Sequence, residues 1–240
     1  MKTSNKILFA AVSALVVLAV ISIISMRVLV DRAAEAGGNF SAIDRAFDGK
    51  RISQEYDMED FSRLQVIGGW NLTLQSGNTY RVSITFPEEL QNHVKIDKNG
   101  EVLSLETTGL IDFRGAHFKA VVQMPELAEL RSEGGLSAGV HGFTGETLTI
   151  AGGGGVQIKA EDCRYEKLSL QLSGGIQGDF RDLSAEDIHI KGNGAVDLDV
   201  TMNGGALTGD VNGAANIKVR GNVAQNSLRV HGVSNIEYLN

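Results

Sequence analysis

The sequence predicts an all-β protein, a β-solenoid with coils of about 20 residues, preceded by one N-terminal transmembrane helix. Three observations carry this prediction. Glycine-rich bends recur at nearly constant spacing through the second half of the chain, alternating apolar residues flank each bend, and one uncharged apolar run precedes every strand-like segment. Short alternating strands that repeat at a period near 20 are typical of stacked coils.

The N-terminal run, ILFAAVSALVVLAVISIISM, covers residues 7–26 and carries no charge. A helix of this length spans about 30 Å, the thickness of the hydrocarbon core of a bilayer. Lys2 and Lys6 precede the run, so the positive-inside rule places the N-terminus in the cytoplasm and residues 31–240 outside it. We therefore predict that residues 1–30 form a membrane anchor.

A cleaved signal sequence is the alternative for residues 1–30, because Ala34–Ala36 resembles a small-x-small cleavage site. The apolar run is longer than the usual core of a signal peptide, which is about 7–15 residues, and this favours the anchor. Both interpretations predict an exported domain. Residues 31–51, rich in small, charged and glycine residues, are predicted to be a juxtamembrane linker, and residues 52–240 the folded domain.

The first part of the domain alternates between apolar and polar residues, as half-buried strands do. The strand segments are FSRLQVIGGWNLTLQSG, YRVSITF and FKAVVQMPEL, the last one stopped by Pro125. VKIDKNGEVLSLET predicts a hairpin with its turn at Lys98-Asn99-Gly100.

From residue 127 the chain repeats. The apolar residue that follows each glycine-rich bend recurs at intervals of 20, 20, 20, 19 and 21 residues, at Leu136, Val156, Ile176, Val196, Ala215 and Ile236. An alternating apolar pair precedes each bend, from Leu148 and Ile150 in one copy to Leu228 and Val230 in the last. Leucine-rich repeats share this period, but their leucine and asparagine consensus is absent. Calcium-binding nonapeptide repeats need aspartates after the glycines, where this chain has glutamine or apolar residues.

The glycines of the bends are predicted to be structural. A phosphate-binding loop would need a helix after the glycines, whereas an alternating strand, VQIKAEDC, follows the run AGGGG. A flexible linker would not keep its glycines in register with apolar strands. The predicted bend glycines are Gly134, Gly135, Gly152, Gly153, Gly154, Gly155, Gly174, Gly175, Gly192, Gly194, Gly213 and Gly232. They accept the positive φ of a tight bend and leave room where coils stack.

The composition argues against several kinds of partner and site. The net charge of −7 and the absence of a basic run argue against a nucleic-acid partner. Cys163 is the single cysteine, so the chain has neither an internal disulfide nor a cysteine-based metal site. The five histidines lie in none of the spacings that bind zinc, and His189 points away from the core between Ile188 and Ile190. We expect no cofactor, no metal and no catalytic residue.

Acidic residues are the one candidate for chemistry. Asp197 and Asp199 alternate outward with apolar neighbours, and Asp179, Asp182, Glu186 and Asp187 fall on adjacent coils. Two carboxylates at a suitable separation cleave glycosidic bonds, and a carboxylate cluster binds calcium. A charged, solvated face that keeps the solenoid soluble explains the same pattern and is the favoured interpretation.

The order of the segments resembles the head GIN domain family, a bacterial family of unknown function described as putative auto-transporter adhesins. The resemblance covers about residues 52–240 and rests on FSRLQVIGGWNLTLQSGNTYRVSI, VKIDKNGEVLSLET, AVVQMPELAELRSEGGLSAGV and the glycine repeats. It implies an exported, right-handed parallel β-helix in the cell envelope, with no catalytic residues to carry over. Together with the N-terminal run, it implies a single-pass protein of the bacterial inner membrane with a periplasmic domain.

The expected function is therefore that of a membrane-anchored scaffold or adhesion module without catalysis, whose partner is an envelope protein or a glycan. Two alternatives stay open: a polysaccharide-acting enzyme on the same solenoid, and a self-associating structural element. The last segment, SNIEYLN, shows no amphipathic capping helix, so we expect end-to-end or side-by-side self-association.

Overall fold

The computed structural model describes residues 50–108 and 118–239. The strands are β1 (Arg51–Tyr56), β2 (Arg63–Ser76), β3 (Arg81–Pro87), β4 (Val94–Asn99), β5 (Val102–Thr107), β6 (Phe118–Met124), β7 (Glu129–His141), β8 (Thr144–Glu161), β9 (Cys163–Asn203), β10 (Ala206–Asn222) and β11 (Gln225–Leu239), with a short 3-10 helix at Glu88–His93. The predicted membrane anchor lies outside the described residues. Within them, no helix has the length and apolar character needed to cross a membrane.

The β-solenoid prediction is confirmed. Strands β2, β7, β8, β9, β10 and β11 follow one another in parallel, and the solenoid has about six turns. Glu129 of β7 lies beside Thr149 of β8, an offset of 20 residues. The offset falls to 19 between β9 and β10, where Ile188 lies beside Leu207. The missing residue is taken up at Gly204 and Gly205, whose φ angles are 89° and 74°.

Each coil has three sides, as the pattern of burial along β8 and β9 shows. Alternate residues are buried in three runs, and two or three more exposed residues separate one run from the next. In one coil the inward residues are Leu148, Ile150 and Gly152 on side A, Val156, Ile158 and Ala160 on side B, and Cys163 and Tyr165 on side C. Equivalent residues of neighbouring coils stack, so that the core is a set of apolar columns along the solenoid.

One column consists of glycines with positive φ, and they stack directly on one another at the bend between sides A and B. The column contains Gly68 (φ 102°), Gly134 (123°), Gly154 (102°), Gly174 (110°), Gly194 (122°), Gly213 (128°) and Gly232 (143°). A Cβ on Gly174 would lie 2.4 Å from the carbonyl oxygen of Gly154. Both the φ angle and this contact exclude a side chain. Gly68 was missed in the sequence because 66 residues separate it from Gly134.

The other predicted bend glycines occupy different positions. Gly152 and Gly192 face inward on side A, where a Cβ would meet the side chains of Val156 and Val211 at 3.3 and 3.0 Å, respectively. Gly135, Gly153, Gly155 and Gly175 have no atom within 3.8 Å of an added Cβ. In the run of four glycines, Gly154 therefore belongs to the glycine column and Gly152 makes room in the core. The other two are free of steric constraint.

The predicted alignment of the last coil was wrong by two residues. Ile236 lies beside Ile217, and Ser234 is the residue beside Ala215, so the last spacing is 19 rather than 21. The apolar pair before the last bend is shifted in the same way. Leu228 lies beside Gly209 and Val230 beside Val211, so each is two residues further along side A than predicted. The sequence alignment followed apolar residues, and in this coil a serine stands in the apolar position.

The first part of the domain differs from a uniform β-helix. The outer edge of β2 is shared by two parallel strands, β5 beside residues 63–67 and β6 beside residues 70–76. Antiparallel strands then cover this layer: β3 pairs with β6, β1 with β3, and β4 with β5 in the predicted hairpin. Trp70 packs on Phe118 with ring centroids 5.4 Å apart. These strands close the N-terminal end of the core.

Candidate binding face

The outward side chains of side B form a continuous polar surface, here called the polar face. It is built by residues 157–161, 177–181, 197–201 and 216–220 of consecutive coils. Because the strands are parallel and in register, outward residues of each coil stand beside their equivalents in the next, in three columns about 4.8 Å apart from coil to coil. The glycine column precedes every one of these segments and fixes where side B begins.

The first column carries amides and one carboxylate that bond from coil to coil. Asn216 Nδ2 donates to Asp197 Oδ1 at 2.7 Å, and Asn235 Nδ2 donates to Asn216 Oδ1 at 3.0 Å. Gln157 Nε2 donates to Gln177 Oε1 at 3.4 Å. These bonds hold the side chains in fixed orientations before any partner arrives.

The other two columns carry ion pairs. Arg181 contacts Asp179 through two nitrogens, at 2.8 and 2.7 Å. Arg220 contacts Asp199 of the preceding coil in the same two-pronged way, at 2.7 and 2.9 Å. Bidentate pairs of this kind fix both groups in geometry as well as charge. The hydrogen bond that Arg181 donates lowers the pKa of Asp179, and the hydrogen bond that Arg220 donates to Asp199 raises the pKa of Arg220.

A third charged group lies at the edge of the polar face. Glu161 accepts from Lys159 and lies 3.1 Å from His141 Nδ1. The hydrogen bond from Lys159 lowers the pKa of Glu161. Positive and negative groups therefore alternate over the polar face, and the lowered pKa values of Asp179 and Glu161 are opposite in direction to the raised pKa of a general acid.

Three of the predicted acidic candidates have hydrogen-bond partners on neighbouring coils. Asp197 and Asp199 do point outward as predicted, but Asn216 and Arg220 engage their carboxylates. Asp187 accepts from the backbone N–H of Ala206 at 2.7 Å and so supports the shortened coil. Within residues 50–108 and 118–239, no group of three His, Cys, Asp or Glu side chains is arranged to hold a metal ion.

The histidines have ordinary partners. His189 is half-buried on side A, where its Nδ1 lies 2.9 Å from Thr208 Oγ1. His93 Nδ1 lies 2.9 Å from the carbonyl oxygen of Thr108. His231 lies 3.8 Å from Asp210. His117 is outside the described residues.

A shallow depression of about 360 Å³ lies where side B meets side C. Its lining mixes both charges: Thr144, Asp162, Cys163, Arg164, Arg181, Asp182 and Ser184. The thiol of Cys163 is buried, and burial raises its pKa, which disfavours the reactive thiolate.

Aromatic platforms for stacking sugars are scarce in the described part of the chain. Trp70 is 3% exposed and donates through Nε1 to the carbonyl oxygen of Ile67 at 3.1 Å. Tyr165 is buried, and its hydroxyl donates to the carbonyl oxygen of Leu127 at 2.9 Å. Tyr238 is the aromatic residue with a large exposed surface, 47%, and lies on the last coil.

Comparison with known proteins decides the family. The model for the putative auto-transporter adhesin, head GIN domain, matches residues 60–240. The chain belongs to the head GIN domain family. No curated protein matches it in sequence.

A solved structure supports the solenoid fold. A putative adhesin from Bacteroides fragilis matches with a TM-score of 0.58 at 17% identity, over 80% of this chain and 99% of its own. A putative lipid binding protein and a putative adhesin, both from Parabacteroides distasonis, match with TM-scores of 0.48 and 0.44, at 14% and 19% identity. Each comparison covers 80% of this chain and 98% of the other. At this identity the likeness to the Bacteroides protein concerns the fold alone.

Proposed function

We propose that this head GIN domain is a non-catalytic adhesion or binding module, and that the polar face is its binding surface. The observation that carries the proposal is the coil-to-coil hydrogen bonding of the polar face, in which Asn216 donates to Asp197 and Gln157 donates to Gln177. Side chains that are already ordered lose little conformational entropy when a partner binds. A regular array of amides and paired charges suits a polar partner, a glycan or a protein of the envelope.

The competing function, glycoside cleavage, has weaker support. It needs one carboxyl group that is protonated near neutral pH and a second that is free to act as base or nucleophile. On the polar face, Arg181 and Lys159 lower the pKa values of Asp179 and Glu161, which is the opposite direction. Arg220 occupies both oxygens of Asp199.

An exported location completes the proposal. The uncharged run at residues 7–26 would hold the protein in the bacterial inner membrane, N-terminus in the cytoplasm, with a right-handed solenoid in the periplasm. The family description as an adhesin supports an extracytoplasmic domain. Fractionation with N-terminal sequencing tests this: we expect an intact N-terminus in the inner membrane. A mature protein beginning after Ala36 would show a cleaved signal instead.

The function itself is tested by exposing the full chain to arrays of bacterial and plant glycans and of envelope proteins. We expect retention on one polar ligand class without any release of product. Release of sugars by the wild-type chain, lost in Asp197→Ala or Asp199→Ala, would overturn the proposal in favour of the enzyme.

A further inference from the structure

Among the described strands, the two ends of the solenoid present different strand edges. At the N-terminal end, β3 and β4 cover the outer edges of β6 and β5. At the other end, β11 pairs with β10 along 15 positions, and no described strand pairs with its outer edge. A free edge of this length is a template for another strand.

The core also reaches the surface at this end. Leu228, Val230 and Ile236 stand at inward positions of β11 but are only half-buried, whereas the equivalents of the last two, Val211 and Ile217, are fully buried. Val233 is 74% exposed at the bend. Tyr238 bridges from side B to side A, where Asn226 Nδ2 donates to its hydroxyl at 2.5 Å, and its ring remains 47% exposed.

We propose that two copies of this chain associate head to head through β11, about a two-fold axis at Val233, and that the assembly closes at a dimer. A two-fold axis perpendicular to the solenoid axis makes the two β11 strands antiparallel. The inward residues of β11 all have even numbers. Inward residues of the two copies therefore face each other only in a register in which the numbers of two paired residues add up to an even number. An axis at Val233 satisfies that condition.

The residues of β11 are self-complementary in this register. Leu228 of one copy faces the exposed ring of Tyr238 in the other, and Val230 faces Ile236. On the outward side, Arg229 faces Glu237 twice, once on each side of the axis, and Val233 faces its own counterpart. Opposite charges and apolar pairs directly across antiparallel strands stabilise the pairing. The polar residues Asn226 and Ser234 at other inward positions keep the end only partly apolar, as suits reversible association.

Closure at two copies follows from the different strand edges at the N-terminal end. A filament would require β11 of one copy to pair with the first coil of the next, in a head-to-tail contact. The outermost strands at that end, β1 and β4, are six residues long each and run in opposite directions, β1 parallel to β6 and β4 antiparallel to β5. They do not match the edge of β11, which is a single strand with 15 paired positions. An isologous contact uses the same surface on both copies and leaves no further site.

Cross-linking tests the geometry in the full chain, purified with detergent present. Val233→Cys places two thiols on the axis, where directly opposed residues of antiparallel strands lie within disulfide distance. Val121→Cys is the matched control, an exposed valine (43%) on β6 at the N-terminal end. Buried Cys163 is common to both proteins. We expect disulfide dimers of Val233→Cys to form at least about tenfold faster, because association raises the effective thiol concentration.

Charge reversal tests the register independently. Arg229→Glu places two glutamates opposite each other and should weaken dimerisation at least about tenfold in sedimentation velocity, since like charges at an interface are costly. Arg229→Glu with Glu237→Arg should restore it. Equal cross-linking at residues 121 and 233, species growing beyond a dimer through this end, or no rescue by the double variant would each overturn the proposal. Loss of adhesion alone, with dimerisation intact, would contradict only the function proposed for the polar face.

Discussion

The carbonyl oxygen of Gly134 occupies the space that a side chain at residue 154 would need: a Cβ built on Gly154 would lie 2.4 Å from it. This contact between two backbones recurs at every step of the glycine column, down to Gly232 on Gly213. The glycine column therefore sets the register of the solenoid and, with it, the alignment of the polar face.

The run of four glycines allows a direct test of this role. Gly154→Ala should destabilise the domain by about 2 kcal/mol or more, because alanine is strained at a φ of 102° and its Cβ meets Gly134. Gly155→Ala is the matched control; nothing lies within 4 Å of its Cβ and its φ is not positive, so we expect little change. Urea unfolding followed by circular dichroism measures both. Equal stability of the two variants would contradict the steric account.

A second test concerns the buried hydroxyl of Tyr165, which donates to the carbonyl oxygen of Leu127 past the intervening coil at Gly145. Burial raises the pKa of this hydroxyl, so it remains a donor at any ordinary pH. Tyr165→Phe should cost about 1–2 kcal/mol, because the carbonyl oxygen loses a partner inside the core. Thermal unfolding of the variant gives the value. An unchanged melting temperature would mean that this bond contributes nothing.

Side B contains one tight packing arrangement. A Cβ on Gly178 would lie 2.4 Å from Phe180 Cε2 and 2.7 Å from Leu198 Cδ2. We expect Gly178→Ala to destabilise the domain by about 1–3 kcal/mol through overpacking. Phe180→Leu removes the ring that makes the closest contact, so the double variant should be more stable than the sum of the single effects predicts. Strict additivity in the double-mutant cycle would show that the ring is not the obstacle.

Acid sensitivity follows from the ion pair of Asp179 and Arg181. The pKa of Asp179 is lowered in the folded state, mainly by the hydrogen bond from Arg181. A lowered pKa contributes stability above the unfolded-state value, about 3.9, and that contribution is lost as pH falls through the folded-state pKa. Arg181→Gln should therefore reduce stability at pH 6 but change it much less near pH 2. Unfolding free energies at both values test this, and an equal loss at the two would contradict it.

Much of the fold could be predicted because the same coil pattern is repeated several times along the sequence. Glycine, then an apolar residue, then an alternating strand defined each coil from Gly134 to Gly213. Gly68 was not among the predicted bend glycines, because β3, β4, β5 and β6 lie between it and Gly134, the next member of its column. The last coil was misaligned by two residues because Ser234 occupies a position that is apolar in the other coils. Gly232 still lies beside Gly213 in the glycine column.

The polar face was harder to predict than the core. Alternation indicated that Asp197 and Asp199 point outward, but it could not show which side chains from other coils reach them. The partner of Asp199 is Arg220, 21 residues away and diagonal to it, rather than the residue directly beside it, Lys218. Such diagonal contacts depend on side-chain length and orientation, and only coordinates supply these. These contacts place Asp197 and Asp199 in a surface of paired side chains.

The central claim is that the polar face binds a polar envelope component without turning it over. The most direct measurement compares two triple variants of the full chain for binding to isolated bacterial envelope fragments. One removes amides of the polar face, Gln157→Ala, Gln177→Ala and Asn216→Ala. The control removes one outward column of side A, Gln171→Ala, Lys191→Ala and Asp210→Ala.

We predict that the polar-face variant loses at least about tenfold in affinity, since each lost hydrogen bond is worth about 1 kcal/mol. The side A variant should bind as the wild-type chain does, and no soluble fragment should be released by any of the three. Equal affinity of the two triple variants, or release of soluble sugars by the wild-type chain, would contradict the claim.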